Sequence, residues 1–453
     1  MRMERPVPYD RRSVLAALAV AGGAAVWGLS PNARASAVFT PESFGHFGDG
    51  RGDAAPAINA AINAACLQGG GIVRFRPGRT YILREIVAET GITTDQFRAS
   101  IAIPASAANV TLDLNGATLL QASDALTFGT PYRMFNDRQL RRSVVPMTGQ
   151  PARGDTWITL AHSAAVSVGD VVMVMSGNTG PSSYLPVAEM VVVTGIEGRR
   201  VHFDRALAKD HLHLRGHPLG MMILSDRFIR DFSILGPGRI VNRQRRCGNV
   251  FQALGLTIEG VTFEGRGGMA VRGRDIAVRD CRSRIQADWS KPVFRPYCLA
   301  LDTGTSHASI RNLSADGGSN VTYLHLHEGL ADIQVEDLRI TNGSTASALG
   351  EEVAAISILG TSWNISIDTA HVAGNPQGAG LEARESRVMP GGNRQLSIRN
   401  LRLAGDFAST PVIVEDHAPA RLASLDLRDA VAPRGGPRMR IRGADHEVTD
   451  LMD

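Results

Sequence analysis

Lysine is nearly missing from this chain of 453 residues: of its 48 basic side chains only Lys209 and Lys291 are lysines, and the rest are arginines. Aromatic residues are scarce as well, at 5%. The four cysteines, Cys66, Cys247, Cys281 and Cys298, show no C-x-x-C spacing and no histidines at metal-binding intervals. This argues against a structural zinc and predicts buried free thiols. Excess charge is lacking too. The net charge is +4, and residues 1–37 hold five arginines (Arg2, Arg5, Arg11, Arg12, Arg34) against Glu4 and Asp10, so nearly all of the excess lies there. Bulk electrostatics therefore give no support to a nucleic-acid binder. The abundant arginine suits acidic ligands, and equally fits a bias in genomic base composition.

No apolar run after residue 37 is long enough to span a bilayer. Before it, Arg11-Arg12-Ser13-Val14-Leu15 leads an apolar stretch to Leu29, and Ala33-Arg34-Ala35 or Ala35-Ser36-Ala37 supplies a small-x-small cleavage site. Residues 1–37 resemble a twin-arginine signal peptide, which implies a periplasmic or secreted protein.

Residues 44–53 read Phe-Gly-His-Phe-Gly-Asp-Gly-Arg-Gly-Asp. An Ala/Ile stretch follows with Ile58, Ile62 and Cys66 four apart, then Gly69-Gly70-Gly71, Ile72-Val73-Arg74-Phe75, Pro77-Gly78 and Tyr81. The spacing predicts a helix stopped by the glycines and a strand that turns at Pro77-Gly78. This order resembles the entrance of the pectate-lyase superfamily, in its polygalacturonase-like and pectate-lyase-3 types, a group that also includes alginate epimerases and many phage tailspikes. It departs from that pattern at Ala54, Ala55 and Pro56. The resemblance implies an all-β, right-handed parallel β-helix whose end this segment caps, with Asp49 and Asp53 as turn and cap residues. It is also compatible with a homo-oligomer such as a trimer.

Periodicity leads to the same fold independently. An apolar tetrad recurs at Ile258–Val261, Val278–Cys281, Ile310–Leu313, Val335–Leu338, Ile367–Ala370, Ile398–Leu401 and Leu427–Ala430. A short strand at variable intervals of 20 to 32 residues suits a solenoid with loops at its corners. A second strand precedes each later tetrad, with Leu299 and Leu301, Leu324 and Leu326, Ile356 and Ile358, and Leu381 and Ala383 pointing inward. Residues 146–218 interrupt the scheme with short alternating strands, predicting a small inserted antiparallel barrel or sandwich. The expected organisation is leader 1–37, cap and first coils 38–145, insert 146–218 and main solenoid 219–453. His211, His213 and His217, at the exit of the insert, read as surface histidines.

Stacking the second strands gives an outward column of Ala270, Ala300, His325, Ser357, Glu382, Ile413 and Arg440, beside Arg272, Asp302, His327, Leu359, Arg384, Glu415 and Arg442. Coils ~4.8 Å apart bring Asp302 beside His327 and put His325 ~10 Å from Glu382, with Tyr323 on the same outward face. Long insertions flank this face: one carries Trp289, Lys291, Arg295 and Tyr297, the other Glu351 and Glu352. Together they predict a polysaccharide or oligosaccharide cleft. There is no Asp-Asp pair and no Tyr-Gly-x-Asp-Pro-His motif, which removes the polygalacturonase-like cluster and the epimerase signature that the resemblance would imply. What remains fits β-elimination on a uronate, with Arg384 or Arg272 neutralising the carboxylate, His325 or Lys291 as base, and Tyr323 or Tyr297 as acid. A hydrolase pairing Asp302 or Glu382 with Glu351 or Glu352 is the alternative, and a non-catalytic glycan binder is the third reading. No cofactor is required, although Asp302, Glu328 and Glu382 are oxygen donors of the kind Ca²⁺ takes.

Overall fold

The computed structural model describes residues 37–452 except 46–47, 87–97, 131–143, 177–186, 212–218, 226–227, 243–247, 266–267, 286–296, 318–321, 328, 342–353, 361, 376–377, 385–393, 417–419 and 444–445. The leader reading, Cys247, His213 and His217 fall outside these residues. Among the described residues one α-helix, α1 (Ala55–Leu67), buries Ile58, Ala61, Ile62 and Ala65 against the first coils. Ala54 offers it no side-chain cap. Asp53 does that work instead, its Oδ1 accepting from the amides of Ala55 and Arg84, both at 3.0 Å. After the helix Gly71 adopts φ 153°, and a Cβ there would meet the Ala37 carbonyl at 2.8 Å, so the third glycine lets the first coil pass under the chain entrance.

The strands outside residues 145–223 form a parallel β-helix with three faces. On the first, Leu112, Ile234, Ile258, Val278, Ile310, Val335, Ile367, Ile398, Leu422 and Val448 stack in register. The third face stacks Leu299, Leu324, Ile356, Leu381, Val412 and Met439. Inward residues of all faces merge into one continuous core. The first and second faces meet at the tetrads, where strands such as Asn249–Gly265, Ser306–Gly317 and Ala331–Thr341 bend without ending. The third tetrad residues, Gly260, Asp280, Asn312, Asp337, Thr369 and Asn400, all have φ between 50° and 68°, as does Ser424. Glycine, Asp and Asn tolerate this left-handed conformation best. The same rule corrects the last tetrad: Ile398 stacks on Leu422, so the seventh bend is Leu422–Leu425 and not Leu427–Ala430.

Six antiparallel strands, Val145–Thr148, Trp157–Leu160, Val171–Ser176, Val187–Glu197, Arg200–Phe203 and Leu219–Ile223, close into a barrel. The last of these pairs with Val171–Ser176 and Val145–Thr148, so the insert runs beyond residue 218 and the solenoid resumes at Ile229. The barrel leaves after the third-face strand Leu126–Gly129 and returns to the first face, which hangs it on the corner between those two faces. Arg274 holds Asp204 at 2.6 Å, Arg205 holds Asp275 at 2.9 Å, and Ala208 packs with Ala331 and Trp363.

This junction buries charge. Lys209 is fully inaccessible and donates to the Ala188 carbonyl at 2.5 Å, while Glu189 accepts from the Ala208 amide and pairs with His211 Nε2 at 2.8 Å. His211 is thus a buried partner of a carboxylate, not a surface residue. Burial pushes the Lys209 ammonium down to about 8, against the opposing pull of Glu189 and Asp332. Cys281 and Cys298 are buried free thiols, and Cys66 is a half-buried one.

Candidate functional site

The outward column of the third face has the expected register: Ala270, Ala300, His325, Ser357, Glu382, Ile413 and Arg440 are successive partners. His325, expected to be exposed, is 8% accessible. Its ring stacks on Tyr297 with centroids 4.7 Å apart, and His327 meets it edge-on at 4.3 Å. His327 Nδ1 is buried and accepts no hydrogen bond. Burial lowers the His327 pKa from its ordinary value, with Arg272 lowering it further and Asp302 opposing. The imidazole is therefore neutral at neutral pH.

Asp302 sits one coil before His327 and is itself fixed. Its Oδ2 accepts from Arg272 Nη2 at 2.5 Å, its Oδ1 from the Thr303 amide at 2.8 Å, and Arg272 Nε donates to the Thr303 carbonyl. Arg272 is 4% exposed. It is thus an internal partner of Asp302 rather than an open cation for a substrate carboxylate. Farther along, Arg384 is ion-paired with Glu382, and the Arg384 side chain remains 40% exposed.

Tyr323 is misplaced by strict alternation. The amides of Tyr323 and Leu324 both donate to the Ala355 carbonyl, which kinks the strand entry, so alternation begins only at Leu324. The Tyr323 ring joins the core, its hydroxyl donates to the Gly317 carbonyl, and burial raises its pKa. Tyr297, the residue before buried Cys298, is the tyrosine on the face. Lys291, Trp289, Arg295, Glu351, Glu352 and Glu328 lie outside the described residues. Asp302 and Glu382 are three coils apart, ~14 Å along the stack, beyond the ~5–9.5 Å of paired glycosidase carboxylates. Among the described residues no cluster of three or more His, Cys, Asp or Glu side chains could hold a metal, and no helix is long and apolar enough to cross a membrane.

Sequence reasoning missed Gln252, 2% exposed with its Oε1 lacking a partner and directly beside Arg272 in register. Its position in the same outward column as Arg272 was the available signal.

The sequence matches no family model and no curated protein. Solved structures do resemble it. The gp54 tailspike of Acinetobacter baumannii bacteriophage AP22, solved in complex with A. baumannii capsular saccharide, shares 11% identity over 91% of this chain and 69% of its own, with a TM-score of 0.51. The tailspike gp61 of Pseudomonas phage phi297 shares 14% identity over 92% and 76%, with a TM-score of 0.43. The surface adhesin PfbA of Streptococcus pneumoniae shares 12% over 86% and 84%, with a TM-score of 0.40. At such identities the likeness is one of fold: this chain is a parallel β-helix protein.

Proposed function

We propose that the third face binds an acidic polysaccharide and cleaves it at a uronate by β-elimination. The observation that carries the reading is the His325–His327 pair, in which His327 is held neutral by burial beside the fixed Asp302–Arg272 ion pair. The AP22 tailspike, a protein of the same fold, was solved with a capsular saccharide, which supports a glycan as the ligand class.

In this mechanism Arg384 neutralises the substrate carboxylate and so acidifies the adjacent C–H. A histidine of the pair takes that proton, the electrons form the C=C bond, and the C–O bond to the departing sugar breaks. The Tyr297 hydroxyl gives the leaving oxygen its proton. Asp302 and Arg272 act through His327 as positioning residues. Asp302 is engaged by Arg272 and Thr303, and Glu382 by Arg384; the mechanism uses no calcium, and chelation is expected to leave turnover unchanged.

A panel of acidic and neutral polysaccharides, followed at once by absorbance of unsaturated product and by new reducing ends, tests the assignment. Both signals rising together on a uronan support it. Reducing ends without unsaturation mean a hydrolase, and binding without either signal means a glycan-binding protein.

A further inference from the structure

The barrel carries a patch that its own core does not need. Strands Trp157–Leu160, Arg200–Phe203 and Val187–Glu197 lie side by side, with Trp157 opposite His202, Thr159 opposite Arg200, and His202 opposite Gly195. Ile158, Leu160, Val201 and Phe203 fill the interior, so alternation puts Trp157, Thr159, Arg200 and His202 on the outer surface. Trp157 is 41% exposed, and the Arg200 guanidinium lies over its ring, 4.1 Å from the centroid. Gly195 leaves the strand beside His202 bare. His202 Nε2 is buried beside Glu197, 3.6 Å away, and flanks the pair without opening to solvent.

We infer that this patch is a second glycan site, selective for an acidic oligosaccharide. The indole offers a flat apolar ring face to the C–H face of a pyranose. The guanidinium beside it presents paired N–H donors to a carboxylate. Neutral sugar would leave Arg200 without its counter-charge. The inference does not depend on the solenoid face being catalytic: the barrel, docked at the corner beside that face, would hold the polymer whatever is done to it there.

The experiment uses the full chain with Arg384→Ala as background, so that the solenoid face contributes least. Alginate and polygalacturonate oligosaccharides are titrated by calorimetry, with dextran as the neutral probe. Trp157→Ala and Arg200→Ala should each weaken binding at least tenfold with unchanged melting temperature. Trp157→Phe should retain most of it, and added salt should weaken the wild-type patch. Unchanged affinity in both alanine variants overturns the site, as does absence of binding to either uronan, and equal affinity for dextran overturns its acidic class. Failure of the solenoid reading would register separately, as wild-type protein that releases no unsaturated product from either uronan.

Discussion

His327 is the side chain whose environment speaks most directly to chemistry. His327→Ala should cost about 10²- to 10⁴-fold in turnover, the range of general-base catalysis, whereas His371→Ala, on the exposed second face, should cost nothing. The base must be unprotonated, and burial depresses its pKa below the ordinary 6.5, so activity should persist below that pH and fail only as the ring protonates. Asp302 raises this pKa and Arg272 lowers it. Asp302→Asn should therefore move the acid limb of the kcat/KM profile to still lower pH; a limb that stays put means His327 is not the group titrating. Asp302, His327, Glu382 and Arg384 could be placed from the sequence because period-two alternation holds once a strand is under way. Tyr323 could not, because the kink at the Ala355 carbonyl is a tertiary event with no local sign.

At the scale of single elements, the bends show what a repeat does and does not disclose. The apolar first and fourth tetrad residues revealed the rungs, but the Gly, Asp or Asn in third place was the more informative signal, since it marks a corner. Thr369 breaks that rule with a β-branched side chain at φ 58°. Thr369→Asn should raise stability by about 1 kcal/mol, readable as a higher denaturation midpoint. Four of the barrel's strands were legible from alternation, but Val145–Thr148 and Leu219–Ile223 were not, the latter because an apolar run has the same look in barrel and solenoid. The buried junction makes a further test. The unfolded Lys209 titrates near 10.5 and the folded one at about 8, so between these values the unfolded chain binds more protons and stability rises with pH. Lys209→Met should flatten that rise in melting temperature; an unaltered slope would mean that other groups produce it.

For the whole molecule, the class of fold was legible twice over, from the entrance motif and from the rungs, since a solenoid repeats its physics every coil. Residues 1–37 bear on where it works. We propose export by the twin-arginine route, and Arg11→Lys with Arg12→Lys should then leave the protein in the cytoplasm; unchanged periplasmic yield would exclude that route.

The position of the barrel also sets an order of assembly. Below it each coil meets its neighbour across short stretches of chain, 25 residues between Arg311 and Glu336 and 32 between Asp332 and Asn364. Across it the gap is 122 residues between Thr130 and Gln252. Closing the longer loop costs more chain entropy and slows the search for contacts. Nascent or refolding protein should therefore zip the coils from Ile229 onward as one block, and the helix-capped coils should join it only after the barrel has shortened the gap. In pulsed hydrogen exchange, the amides of Ile310 and Val335 would gain protection before those of Val110 and Leu112.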